Sequence, residues 1–152
     1  MLRGWGPLFV MPFTNQPATT IAWSEDFSVG VPSLDDQHKI VVSLIGRLQQ
    51  AMADGRAGEK LGGLIEEIAT YASYHFAWEE QLLESHAYDE LPSHRAEHAR
   101  LTEQVLGFRD KVADGKLTLA TPVFHFLRRW LIDHICETDK RYGTYLAQRG
   151  VR

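Results

Sequence analysis

Four stretches of this chain repeat apolar residues at helical spacing, and each closes on residues that end a helix. The first runs through Ile40, Val41, Leu44, Ile45 and Leu48 and stops at Asp54-Gly55. The second starts near Glu59, carries Leu61, Leu64, Ile65, Ile68, Tyr71, Ala72, Phe76 and Leu82-Leu83, and fades between His86 and Tyr88. The third follows Pro92-Ser93 and continues through Leu101, Val105 and Phe108 to Asp114-Gly115. The fourth opens at Thr121-Pro122 and runs to about Gln148, before Gly150. A glycine just past the last periodic residue accepts the left-handed backbone that closes a helix. No segment alternates apolar and polar residues between hairpin turns, so strands are not expected. Helices of roughly 20 to 28 residues with short connections predict an all-α fold, an antiparallel up-down-up-down four-helix bundle.

The ends of the pattern are less regular. Residues 1–20 contain Pro7, Pro12 and Pro17 and, apart from Arg3, no charge, which predicts an irregular N-terminal arm ahead of a bundle domain over residues 21–152. Ser33 with Asp36 reads as a capping box at the start of the first helix, and Thr121-Pro122 as an N-cap followed by proline at the first helical position. With 16 basic and 20 acidic residues the formal charge is −4, which gives no global attraction to nucleic acid or to an anionic membrane. No apolar run approaches the roughly 20 residues that a membrane span requires, so membrane insertion is not expected. The single cysteine, Cys136, cannot form an internal disulfide and suits a reducing, cytoplasmic setting; it reads as a small buried residue.

Seven histidines then demand a reason, and their positions on the helices supply one. His38 lies one turn into the first helix, His75 and Glu79 form an i, i+4 pair on the second, and His94 and His98 form another on the third. The fourth helix carries His134 and, five positions later, Asp139. Residues four apart share one helix face about 6 Å apart along the axis, so each i, i+4 pair can reach a common centre. Taken singly, each has an ordinary reading as a solvated or hydrogen-bonded side chain. Yet His75 and Glu79 sit among Phe76, Trp78 and Leu82, and His134 among Trp130, Leu131, Ile132 and Ile135. Imidazoles and carboxylates sharing the apolar faces of all four helices need partners, and a metal centre satisfies them together. One spacing resists regular geometry: an i, i+5 pair is offset by about 140° on an α-helix. Either the side chains span the difference, or a local π-type bulge between Ile135 and Thr138 brings Asp139 round to the His134 face. His86 reads as a solvated residue at a helix end, and His125 as a packing residue or one that orients a ligand.

The motifs His75-x-x-x-Glu79, His94-x-x-x-His98 and His134-x-x-x-x-Asp139, with His38 upstream, make the sequence resemble the hemerythrin family, in particular its single-domain bacterial members. Val29-Gly30-Val31 ahead of Asp36-Gln37-His38, and Asp139-Lys140-Arg141-Tyr142, extend the likeness over about Ile21 to Leu146. The resemblance implies a non-haem centre of two iron ions. His94, His98 and His134 would hold one iron, His38 and His75 the other, with Glu79, Asp139 and an oxide or hydroxide bridging the two. Two octahedral irons offer about twelve positions, and this set fills about eleven, leaving one for a small ligand.

The function so implied is reversible dioxygen binding, as a carrier, store or delivery protein and not as an enzyme. The residues matching the family's oxygen pocket are Trp130, Leu131, Phe76 and Val41, whose apolar character would restrict water and protons near a bound ligand. The alternatives are an oxygen or redox sensor acting through a separate partner, and a di-iron peroxidase or NO-processing enzyme. No motif names the recipient of the oxygen.

Overall fold

The computed structural model describes residues 20–152, so the arm expected over 1–20 lies almost wholly outside the described residues. A short 3₁₀ turn, Glu25–Phe27, leads to α1 (Pro32–Ala53), α2 (Ala57–Ser85), α3 (Leu91–Ala113) and α4 (Ala120–Asp133). From α4 the chain passes without a break through a π-helical turn, His134–Asp139, into α5 (Lys140–Ala147), so that α4, the π turn and α5 form one rod. The connections over 54–56, 86–90 and 114–119 are short, and α1 packs on α2, α2 on α3 and α1 on α4. This is the expected four-helix bundle, with no strand among the described residues.

The core follows the helical period. On α1 the residues Leu34, Val41, Val42, Ile45 and Leu48 face inward against Leu61, Leu64, Ile65 and Ile68 of α2 and Val123, Leu127 and Leu131 of α4. Burying aliphatic side chains of this size contributes about 1.5 to 3 kcal/mol each. Ile40 and Ile132 depart from the expected apolar faces: at 46% and 39% exposure they lie on the outer sides of their helices. The Asp-Gly stops hold as read. Gly55 and Gly115 have φ of +69° and +68°, and beyond them Arg56 and Lys116 donate back to the carbonyls of Ala51 and Lys111 at 2.8 Å.

Both expected N-caps are corrected. Val31 flanks α1 and Pro32 takes the first turn, which places Ser33 inside the helix. The entry is fixed instead by buried Asp35, which accepts from the Val29 amide at 2.8 Å and from Ser28 Oγ at 2.6 Å. Likewise α4 begins at Ala120 after Leu119, with Thr121 and Pro122 already helical. First-turn amides have no intrahelical acceptor, so a proline anywhere in that turn costs no hydrogen bond. Among the described residues no helix is long and apolar enough to cross a membrane.

Candidate metal centre

The helices deliver all of the expected ligand residues to the bundle interior. Apart from Asp35, the buried polar side chains among the described residues are His38, His75, Glu79, His94, His98, His134 and Asp139, none more than 3% exposed. They form two adjoining groups. Glu79, His94, His98, His134 and Asp139 each offer a ligand atom within 4.8 Å of the others, and His38, His75 and Glu79 do the same. Glu79 belongs to both, and Asp139 faces both, since its Oδ1 is 3.1 Å from His134 Nε2 and its Oδ2 is 3.4 Å from His38 Nε2. Asp139 arrives there because the chain widens into the π turn between His134 and Asp139, which brings residues five apart onto one face, the second of the two solutions the spacing allowed.

Among the described residues the donor atoms meet one another and no lysine or arginine. Glu79 Oε2 lies 3.4 Å from His75 Nε2, its Oε1 lies 3.3 Å from His98 Nε2, and His98 Nε2 is 3.0 Å from His134 Nε2. Among the described residues, neither Asp139 oxygen nor either His38 nitrogen has a hydrogen-bond partner, although all four atoms are buried. Leaving a buried charged group unsatisfied is too costly for a fold to tolerate without compensation. Nitrogen and carboxylate oxygen lone pairs converging on two adjacent points fit a pair of divalent cations, and imidazole suits iron, copper, nickel and zinc.

The outer nitrogens show how the imidazoles are aimed. His75 Nδ1 donates to Gln37 Oε1 at 2.9 Å, His98 Nδ1 to Glu80 Oε1 at 2.8 Å, and His134 Nδ1 to Glu97 Oε1 at 2.9 Å. Carboxylate and amide oxygens only accept, so the ring proton resides on Nδ1 and the Nε2 lone pair points into the bundle. Tyr142, fully buried on α5, donates from its hydroxyl to Glu79 Oε2 at 2.6 Å.

Electrostatics follow from this packing. Burial lowers His75 to about 4, despite the acids nearby. Burial also opposes charge on His38, but Asp139 and Glu79 outweigh it and raise that imidazole to about 9. Burial would raise Glu79, yet the imidazoles of His38, His94 and His98 beside it hold it well below the usual carboxylate range. The His134 hydrogen bond lowers Glu97 to about 2. Burial and the neighbouring acids push Tyr142 upward, which keeps it a neutral donor.

The residues read as an oxygen pocket are all buried at this end of the bundle. Phe76 stacks on His98 with ring centroids 3.8 Å apart and meets Trp130 edge-on at 5.9 Å, while Trp130 lies 6.3 Å from His134. Val41 and Leu131 are 3% and 0% exposed. Gln37, Glu80, Glu97 and the bond made by Tyr142 were missed in the sequence. The available signal was a polar residue directly beside a ligand: Gln37 precedes His38, Glu80 follows Glu79, and Glu97 precedes His98. His86 is half-buried at the end of α2, where its Nδ1 bonds the Leu82 carbonyl at 2.9 Å, and His125 is exposed and takes no part. Cys136 is half-buried rather than buried, because the π turn rotates it toward the segment before α1, with Sγ 4.0 Å from the Asp26 carbonyl.

Known proteins resemble this chain in sequence and fold. The bacteriohemerythrin of Methylococcus capsulatus is 30% identical over 122 residues, which covers 80% of this chain and 92% of that protein. The myohemerythrin of Theromyzon tessulatum is 32% identical over 120 residues, covering 79% and 88%. A crystal structure of wild-type hemerythrin superposes with a TM-score of 0.75 at 28% identity, covering 81% of this chain and 95% of that one. The profile of the hemerythrin HHE cation binding domain matches residues 29–146, which contain all seven candidate ligands, and the chain therefore belongs to the hemerythrin family.

Proposed function

We propose that this protein binds dioxygen reversibly at a di-iron centre, as an oxygen carrier or store in a reducing, cytoplasmic setting, and that it is not an enzyme. The observation that carries this reading is the convergence of seven buried nitrogen and carboxylate donors in two adjoining groups that share Glu79, with Asp139 facing both. His94, His98 and His134 would hold one iron, His38 and His75 the other, and Glu79 and Asp139 would bridge them. When bound, such a pair of irons, bridged also by an oxide or hydroxide, supplies two electrons and one open position to a small ligand.

The chain's own groups favour binding over turnover. Phe76 and Trp130 pack their rings against His98 and His134, and with buried Leu131 and Val41, one turn from His134 and His38, they would form an apolar wall that restricts water and free proton donors. Tyr142 is committed to Glu79, so its proton is not free for chemistry at the site. Gln37, Glu80 and Glu97 fix three imidazoles, so the ligands need not reorganise when a small molecule enters or leaves.

The test is to load the chain with ferrous iron under argon, admit air, and then remove the oxygen while following the visible spectrum. A colour that appears with oxygen and fades on deoxygenation is expected. Irreversible bleaching with consumption of a reductant or of peroxide would replace the carrier by an enzyme. His75→Ala and His134→Ala are each expected to lower the iron content below two per chain, since each removes a buried ligand. Unchanged loading in both, measured by iron analysis after desalting, would reject the ligand assignment.

A further inference from the structure

The supports of the imidazoles step around the bundle in one direction. Gln37 on α1 holds His75 on α2, Glu80 on α2 holds His98 on α3, and Glu97 on α3 holds His134 on the fourth rod. In each case the supporting residue is the sequence neighbour of a ligand on its own helix. A helix neighbour points about 100° away from the ligand face at the same level, which is where the adjacent helix presents its own ligand. The step from the fourth rod back to α1 is missing, for His38 Nδ1 is buried without a hydrogen-bond partner.

The chemistry of the supports is unequal between the two groups. Both carboxylates back histidines on one side, His98 and His134. Among the described residues the other side has the neutral amide of Gln37 on His75 and nothing on His38. The two carboxylates are themselves held in place: Glu80 Oε2 accepts from Arg95 Nε at 3.3 Å, and Glu97 Oε2 from Thr138 Oγ1 at 3.3 Å. A carboxylate accepting from Nδ1 makes the Nε2 lone pair more basic and adds negative charge behind the ligand, whereas an amide orients the ring without adding charge.

We propose that Glu80 and Glu97 are positioning residues that make the His94/His98/His134 side the tighter of the two metal positions, so that the chain fills in a fixed order. The first ferrous ion enters on that side, and the second completes the pair at His38 and His75. This rests on the di-iron reading above. Under limiting iron the chain then holds a single ion away from the His38 side and leaves the oxygen-binding position unbuilt until the second ion arrives.

The test is an anaerobic titration of the full metal-free chain with ferrous ion against a chromophoric chelator, compared with Glu80→Gln, Glu97→Gln and Gln37→Glu. Glu80 and Glu97 keep 23% and 29% side-chain exposure, and glutamine has their shape, so the variants should fold; circular dichroism of the metal-free proteins checks this. Two resolved steps are expected in the parent chain. Glu80→Gln and Glu97→Gln should each weaken the first step by about 10- to 100-fold and leave the second nearly unchanged. Gln37→Glu should tighten the second step alone, and His75→Ala should abolish the second while retaining the first. Equal steps in the parent chain, or glutamine variants that weaken both steps alike or neither, would overturn the filling order. A chain that binds no ferrous ion would instead overturn the di-iron reading, and loss of reversible oxygen binding at full loading would overturn only the carrier function.

Discussion

Stripping the metal from the loaded protein is expected to lower its melting temperature by on the order of 10 °C or more, and to make its stability depend on pH in a way that the loaded form does not share. A ligand held at about a thousandfold excess over its Kd stabilises the native state by about 4 kcal/mol per site. A chain of this size shifts by about 2 to 4 °C per kcal/mol. The structural reason lies in the charges left behind. Glu79 and Asp139 are both fully buried, and among the described residues no lysine or arginine pairs with either.

In the metal-free chain the proton must take over part of the cation's role. His38 does so, raised from 6.5 to about 9 by Asp139 and Glu79 against the effect of burial. Its contribution is complete below pH 6.5 and is lost as pH climbs from about 6.5 through 9. His75 acts in the opposite sense: burial lowers it from 6.5 to about 4, so the unfolded chain takes up the extra proton and stability falls as pH drops across that interval. Glu97, lowered from 4.5 to about 2 by its bond to His134, adds a further loss below pH 4.5. The metal-free protein should therefore be most stable near pH 6.5 and weaken on both sides. With metal bound, His38 is a neutral ligand and the alkaline loss should vanish. Urea midpoints of the two forms between pH 5 and 9 would check this; a metal-free midpoint that stays flat from 6.5 to 9 would contradict the assigned partners of His38.

The bundle was legible because its signals are local. Apolar periodicity and the Asp54-Gly55 and Asp114-Gly115 stops depend on residues within a turn or two, and the four helices follow them. The candidate ligand residues were legible only together, since imidazoles and carboxylates on the apolar faces of all four helices need partners and their order matched a known family. The awkward His134 to Asp139 spacing left two solutions open, side chains that span the offset or a π turn, and the chain takes the π turn. What escaped was set across helices. Glu80 and Glu97 look like surface acids beside a ligand until the neighbouring helix brings an imidazole Nδ1 to each. The α1 entry was misassigned because Ser33 and Asp36 satisfy a local capping rule, while Asp35 bonds backward to residues that the turn at Gly30 returns to it. Ile40 and Ile132 were counted as core because hydrophobicity alone does not say which side of an apolar stripe faces a partner.

That backward loop leads to the second large effect. Gly143→Ala is expected to destabilise the protein by about 1 to 3 kcal/mol and to reduce metal retention with it. A methyl carbon at Gly143 would stand 2.1 Å from the Val29 carbonyl oxygen and 3.0 Å from its carbon, so it meets backbone that cannot rotate away. The Val29 segment is itself fixed, by the bonds of Asp35 to the Val29 amide and the Ser28 hydroxyl, and Val29 and Val31 are buried. Relief must then come from α5, whose preceding residues are Tyr142, bonded to Glu79, and, three positions earlier, Asp139. The phrase Val29-Gly30-Val31 thus meets Gly143, the residue that follows Asp139-Lys140-Arg141-Tyr142, and through this contact the extended entry to α1 would hold the candidate ligand Asp139 in register. Gly63→Ala is the control: it lies on an exposed stretch of α2 with nothing within 4 Å of the added carbon, and should be neutral or stabilising by up to about 1 kcal/mol from helix propensity. Thermal melts and iron content of the two variants decide the matter. A Gly143→Ala protein that melts with the parent and keeps its full iron complement would show that the close approach to Val29 is not what sets Asp139.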